Sequence, residues 1–466
     1  MRTPRHRGTA LRTLLAGGLV VALASLGHDM PRGTDGGDPD LRLTASGGLA
    51  TPRNFTGYGF DQCEAPTQAK MDTWRRYSPF WGVGIYISGN SRACRTQANL
   101  DHAWVSTQLR RGWRLLPITL GPQASCSSRY PKYGWSVDPT INPDPSNNFG
   151  KARRMGSQEA EKAVAAAKGL GIVPGSTLWY DLEAWDYSSR TTALARCHKS
   201  ALRFVHAWTR RLHSRGYKSG FYSSAASGIK MMDNARSNNT PLTLPDYLWI
   251  ARWDSNANTS VSSEYLAAGA WNPHRRVKQY QGGHNETWGG VTINIDRNFL
   301  DVGRGSYTRP KKHCGGVPVN WRRYLALDPG TSRHRQVSTL QCLLKELGRW
   351  DGGLRGHYGR ALARAVEEWK ADNGFTRSPK WRRAHWMALT AKGQRNLVKF
   401  GSANSAVFRL QRTLNASGVS AMSIDGIFDQ QTDDALRAYQ QKVGGVRVDG
   451  ITRHDTWALL KQGRWR

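Results

Sequence analysis

The sequence predicts an α/β protein: a closed (β/α)8 barrel of the TIM type followed by two small three-helix domains. Three observations predict it. From residue 57 onward, eight short runs rich in β-formers alternate with longer stretches of helical periodicity over roughly 245 residues, the strand count and length of such a barrel. Beyond residue 303 the chain becomes basic and then repeats itself, Val337-x-x-Leu340-Gln341 returning as Val407-x-x-Leu410-Gln411. With 39% hydrophobic residues over 466 positions, the chain can bury sizeable cores, which excludes disorder, collagen and coiled coil. A doubly wound open sheet is the competing arrangement of the barrel elements.

Taken in order, the chain opens on Arg2, Arg5, Arg7 and Arg12 and an uncharged run over 13–27 that contains Ala22-Leu23-Ala24. A basic start, an apolar stretch and a small-residue cut site predict a secretory signal peptide over 1–24. The run is shorter than the ~20 residues of a spanning helix, and no later segment is long and apolar enough to span once the signal is cut. Residues 25–56, rich in Gly, Asp, Pro and Thr, read as a linker. The barrel is assigned to 57–303. Its strand candidates are 58–63, 81–88, 114–121, 177–185, 217–224, 246–253, 276–282 and 292–301, each rich in aromatic or β-branched residues. Helical periodicity fills 66–77, 99–111, 152–170 and 191–215. A Pro/Asn/Asp-rich insertion over 124–149 predicts a long loop on the functional rim. Gly282-Gly283 and Gly289-Gly290 read as turns.

Residues 304–332 form the expected connector, followed by one helical domain over 333–392 and another over 404–462. Each copy reads as helix, Gly-centred turn, helix, and a third helix containing Trp386 or Trp457.

Six cysteines and no C-x-x-C pair suit an oxidising compartment and argue against zinc. Up to three disulfides are expected. Six cysteines allow 15 connectivities, and a Cys314–Cys342 bridge across the domain junction is the one pairing singled out. The formal net charge of +33, from 67 basic and 34 acidic residues, has three readings: an anionic cell envelope, solubility alone, or nucleic acid. Export favours the envelope, and no specific nucleic-acid partner is expected.

The candidate chemistry lies in the acids. In a strand over 177–185, Asp181 and Glu183 point to one face and Leu182 to the other, with Cα atoms roughly 6.6–6.8 Å apart. At the C-terminal end of a barrel strand they line the mouth. Their repulsion pushes one toward keeping its proton, and a proton donor beside an ionised partner is what glycosidic cleavage requires. Asp61 closes the first strand and Asp296 belongs to the last, and first and last strands adjoin in a closed barrel. Aromatic residues in the same strands offer faces for sugar C–H groups. Trp185, Trp253 and Tyr280, with Asp254 beside Trp253, are the candidate substrate contacts. No G-x-S-x-G, H-E-x-x-H or P-loop occurs, so no metal or cofactor is expected.

These residues resemble a family of secreted bacterial glycoside-hydrolase-like (β/α) barrels related to the family 25 glycoside hydrolase lysozymes. The resemblance rests on Gly59-Phe60-Asp61-x-Cys63, Tyr180-Asp181-x-Glu183 and Ile295-Asp296. It implies that Glu183 is the general acid and that Asp181 orients an acetamido group or stabilises charge. Asp61 and Asp296 would shape the sugar subsite. The tail resembles three-helix peptidoglycan-binding modules. The second copy carries Leu410-Gln411, Asp425-Gly426-Ile427-Phe428-Asp429, Ala438-Tyr439-Gln440, Asp449-Gly450 and Thr456-Trp457, whereas the first has Arg355 in place of Asp425 and no counterpart of Asp449-Gly450. The expectation is a secreted, monomeric cell-wall hydrolase acting on peptidoglycan or a related wall polysaccharide. Its alternative is a non-catalytic wall-binding protein with a hydrolase-like barrel.

Overall fold

Eight strands close into a barrel in chain order: β1 (Thr56–Asp61), β2 (Gly82–Ser88), β3 (Arg114–Thr119), β4 (Thr177–Asp181), β5 (Lys218–Ser224), β6 (Tyr247–Ala251), β7 (Arg276–Trp288) and β8 (Val291–Asp301). The computed structural model describes residues 49–51, 54–188, 190–305 and 310–466. The predicted signal peptide and most of the linker after it lie outside the described residues. The linker's last part packs on the barrel: Ala50 and Phe55 are buried, and Thr51 Oγ1 donates to the Leu115 carbonyl at 2.6 Å.

All eight predicted strands form, with two departures. β4 stops at Asp181, so Glu183 stands just past the strand instead of inside it. β8 runs antiparallel to both β7 and β1, where an unbroken (β/α)8 pattern requires parallel pairing. The cause is local. Gly289 and Gly290 take φ of 59° and 82°, and two consecutive positive φ values make the two-residue turn that reverses a hairpin. Gly282-Gly283, expected as a turn, instead lies within β7, where the β7–β8 register shifts between Gln281 and His284.

Helices α1 (Gln68–Tyr77), α2 (His102–Arg110), α3 (Ser146–Gly169), α4 (Thr192–Ser214) and α5 (Lys230–Ser237) cover the barrel. Outward-facing strand residues supply the core beneath them: Phe60 packs on Trp74 at 5.0 Å and Tyr180 on Trp208 at 4.9 Å between ring centroids. Inward-facing Trp179, Trp249, Ile118 and Leu300 fill the lower interior, as side chains do in small closed barrels. Cys63–Cys94 pins two loops of the upper rim, Cys126–Cys197 ties the long rim loop to α4, and Cys314–Cys342 is the singled-out junction bridge.

The tail folds as α6 (Arg335–Glu346), α7 (Arg360–Asp372), α8 (Arg383–Thr390), then α9 (Ser405–Ser417), α10 (Gln430–Val443) and α11 (His454–Lys461). The two copies share one core, in which Leu340, Trp386 and Met387 join Leu410, Leu414 and Trp457. Residues after 310, read as connector, pack on the first copy: Trp321 Nε1 donates to Thr339 Oγ1 at 2.9 Å, and Tyr324 lies 5.1 Å from Trp386. Motif residues of the second copy build its turns. Gln411 Oε1 accepts the backbone N–H groups of Asp425 and Gly426, and Gln440 Oε1 those of Asp449 and Gly450. In the first copy Gln341 holds Gly356 in the same way, so that turn persists without an aspartate.

The tail docks beneath the barrel, at the end opposite Asp61 and Asp181. Lys399 is buried, and its ammonium donates to the carbonyls of Arg75 (2.8 Å) and Ser78 (2.7 Å) while lying 4.3 Å from the Trp81 ring. Arg453 Nε donates to the Arg76 carbonyl at 2.9 Å. Two cations thus meet the C-terminal end of α1, where carbonyls lack helical partners and the dipole is negative. Lys399→Ala leaves those carbonyls unpartnered and is expected to cost about 2–4 kcal/mol, by analogy with breaking a buried charged contact. Calorimetry is expected to resolve separate barrel and tail transitions where the parent shows a more cooperative one. Lys399→Met, which keeps the stem's packing, is expected to fall between them.

Candidate active site

Three of the four candidate acids project from strands into the barrel mouth, and Glu183 joins them from the loop just past β4. Asp61, the last residue of β1, sits opposite Asp296 in the β1–β8 pairing. Asp61 needs a neighbour without a side chain, because a Cβ on Gly84 would come 2.5 Å from its own Cβ. Asn298, two residues along β8 from Asp296 and so on the same face, donates Nδ2–H to Asp61 Oδ1 at 2.6 Å. Gln279 of β7 donates through Nε2 to Asp61 Oδ1 and to Asp296 Oδ2, both at 3.2 Å. Its Oε1 accepts from Tyr222 Oη at 3.0 Å and from Trp253 Nε1 at 2.9 Å. One amide therefore joins two acids, a tyrosine and a rim tryptophan. Tyr86 donates to Asp181 Oδ2 at 3.3 Å, and among the described residues Asp181 Oδ1 has no hydrogen-bond partner.

The end of β4 is clamped by Gln123. Its Nε2 donates to the Asp181 carbonyl at 2.8 Å and its Oε1 accepts the Glu183 N–H at 2.7 Å. That pair of bonds turns Glu183 toward the opening, where its side chain is 22% exposed. Arg129, from the predicted rim loop, donates to Glu183 Oε2 at 2.9 Å. The cleft has a volume of about 300 Å³, and its lining includes the acids Asp61, Asp296 and Glu183 together with the cations Arg92, Arg129 and Lys132.

Burial and crowding raise the affinity of this cluster for protons. The Asp61 carboxyl is pushed well up from its ordinary value by desolvation first and then by Asp296, against the opposing hydrogen bonds from Asn298 and Gln279. Asp181 is raised by burial, then by Glu183 and Asp61. Asp296 is raised by burial and Glu183, with His284 opposing. Burial, then Asp181, also holds the Tyr86 and Tyr222 hydroxyls in the protonated, donating form. The site can thus keep protons on some carboxyls at neutral pH while others stay ionised, the condition for acid-assisted bond cleavage.

The predicted substrate contacts divide. Trp253 stands on the rim, 66% exposed, with its ring against Gly282. Trp185 is buried in the core outside the barrel and meets Tyr187 edge-on. Asp254 is engaged by Lys278, whose buried ammonium reaches its two oxygens at 3.1 and 3.0 Å and also holds Asn258. Tyr280 is a correction: neighbouring residues alternate across a strand, so with Gln279 inward Tyr280 faces out of the barrel, towards Arg297 and Tyr58. Sequence reasoning missed Gln279, Asn298, Tyr86, Tyr222, Gln123 and Arg129. Counting two residues from Asp296 finds Asn298, whereas the others required the closed sheet.

Two family matches agree with this architecture. The family described as "Rv2525c-like, glycoside hydrolase-like domain" matches residues 72–300, and "Putative peptidoglycan binding domain" matches 403–460. Among solved structures, an uncharacterized B. stearothermophilus protein is 18% identical, with a TM-score of 0.32 and coverage of 52% of this chain and 95% of that one. The catalytic domain of endolysin ply40 from bacteriophage P40 of Listeria monocytogenes is 15% identical, with a TM-score of 0.29 and coverage of 53% and 93%. A family 25 glycosyl hydrolase from Bacillus anthracis is 12% identical, with a TM-score of 0.28 and coverage of 55% and 94%. Comparison with curated proteins gave no match. Three disulfides and a peptidoglycan-binding domain match are consistent with a protein of the cell wall or its exterior; among the described residues, no helix is long and apolar enough to cross a membrane. Residues 72–300 thus match a glycoside hydrolase-like domain of the Rv2525c-like family and residues 403–460 a peptidoglycan-binding domain, a pairing that supports a cell-wall-related function.

Proposed function

We propose that the barrel hydrolyses the glycan strands of peptidoglycan, cutting the β-1,4 bond between N-acetylmuramic acid and N-acetylglucosamine. The observation that carries this reading is the convergence of Asp61, Asp181, Glu183 and Asp296 at one mouth, with Glu183, Asp61 and Asp296 lining the cleft, Glu183 partly exposed in its side chain, and Asp181 buried behind. Glu183 gives its proton to the glycosidic oxygen as the bond to the anomeric carbon breaks. The positive charge that develops on the sugar is met by Asp296, which lines the cleft and, raised only to about 6, is still ionised at neutral pH. Asp181, buried behind Glu183 and bonded to Tyr86, backs the acid from within the barrel, and Trp253 offers an exposed ring to a sugar face. Water completes the hydrolysis, its hydroxyl going to the anomeric carbon and its proton restoring Glu183. The tail holds the protein on its polymer and raises the local substrate concentration. Export, through the N-terminal signal, and action as a monomer belong to the same reading.

A second reading has its own observation. Arg129 occupies Glu183 Oε2 at 2.9 Å, an arrangement that suits a barrel that holds glycan without cutting it. Incubating the protein with purified peptidoglycan, and measuring both new reducing ends and sedimentation with the wall, separates the two. New ends are expected. Pelleting with no new ends under any condition would favour the binder.

A further inference from the structure

The cleft joins an acidic floor to a basic lip. Arg92 is fixed there by donating to the carbonyls of Gly89 (2.7 Å) and Tyr86 (3.2 Å), and Lys132 lines the same opening. Arg95 stacks 4.6 Å over the Tyr133 ring close by, and its charge is felt at Arg92. Among the described residues, none of the ion pairs engages Arg92, Arg95 or Lys132. Arg129 is the one lip cation paired to an acid, and it is paired to Glu183.

We infer that Arg129 is a specificity-determining latch: the cleft takes a glycan whose sugar carries a negatively charged group, and that group draws the Arg129 guanidinium off Glu183. The inference rests on Glu183 being the proton donor of the proposed hydrolysis. Arg129 is 64% exposed in its side chain, and exposed ion pairs are weak enough to exchange. Its loop is anchored nearby by the Cys126–Cys197 bridge and by Ser127 Oγ donating to the Ala184 carbonyl at 3.4 Å, so the guanidinium can turn without the loop detaching. With Arg129 on the substrate, Glu183 loses its counter-cation, and its carboxyl is left facing the cleft beside Asp61 and Asp296. A neutral glycan leaves the pair closed. The charged substrate therefore assembles the donor it needs, a form of induced fit. Carboxylate and phosphate both suit the lip, because both accept charge-assisted bonds from Arg and Lys.

The test compares the full chain with Arg129→Gln and Arg129→Lys on three glycans. These are peptide-free peptidoglycan strands with their lactyl carboxylates, the same strands with those carboxylates amidated, and amidated strands carrying 6-phosphates. For the parent, kcat/KM is expected to fall about tenfold on amidation, the factor typical of losing one charge-assisted contact. Recovery on the phosphorylated strands admits phosphate as a second source, and no recovery restricts the lip to carboxylate. Arg129→Gln is expected to cut charged and amidated strands at similar rates, with Arg129→Lys restoring most of the preference. Equal parent rates on charged and amidated strands, or an unchanged preference in Arg129→Gln, would overturn the latch while leaving the hydrolase reading intact. If the parent cuts none of them, the hydrolase reading fails, and dissociation constants decide the lip alone. Tighter binding of charged strands that is lost in Arg129→Gln sustains an anion subsite, and equal binding removes it.

Discussion

Glu183→Gln is expected to lower the release of reducing ends from peptidoglycan by about 10²–10⁴-fold, the span ascribed to a general acid. Glutamine has nearly the same shape and can still accept a hydrogen bond from Arg129, so contact and packing survive while the transferable proton does not. The backbone bond from the Glu183 N–H to Gln123 Oε1 is untouched. The side chain is only partly buried, so Tm is expected to stay within about 1–2 °C of the parent, as for substitutions away from the core. Binding to sedimented wall should also persist, because the tail lies under the opposite end of the barrel. A variant that folds, pellets with the wall and cuts at the parental rate would assign the acid to another residue.

Asp61→Asn carries the second large effect, on stability. The folded protein holds the Asp61 proton to higher pH than the unfolded chain does, through burial and the neighbouring Asp296. Above the ordinary aspartate range the folded state therefore binds more protons than the unfolded one, and stability falls as pH rises until the raised value is passed. Asparagine has no charge to force into the barrel. Its Oδ1 can accept from Asn298 and Gln279 as Asp61 does, and its Nδ2 can donate to Asp296. The variant is expected to melt several degrees above the parent at pH 7.5, at about 2–4 °C per kcal/mol for a domain of this size. The gain should shrink toward zero near pH 4, while cleavage is lowered. Thermal melts from pH 4 to 8 check this, and a variant less stable at pH 7.5 with an unchanged pH slope would reject it. Raised stability with lowered activity is the usual mark of an acid kept in a costly place for function.

Much of this organisation was legible in residue order. The eight strand candidates, the four acids and the repeat from Val337 to Val407 each follow from short-range pattern. The failures have a common source. Residue type favours Tyr280, but the strand gives the position facing the acids to Gln279. Asp254 lay beside a rim tryptophan in sequence, yet Lys278, arriving from the next strand, binds it. The reversal of β8 was present locally in Trp288-Gly289-Gly290-Val291, where a two-glycine turn outweighs the expectation of a crossover helix.

Residue order by itself determined which segments become strands and helices, which acids stand near strand ends, and that a repeated helical tail follows, because these depend on periodicity, turn residues and composition within a few positions. Only the tertiary structure decided that Gln279 joins Asp61 to Asp296, that Arg129 rests on Glu183 and that Lys399 fastens the tail beneath the barrel. Those partners are separated by 17 to more than 300 positions in the chain. Nothing in local pattern ranks one distant partner over another. Closure of the sheet and the shape of its two ends make the choice.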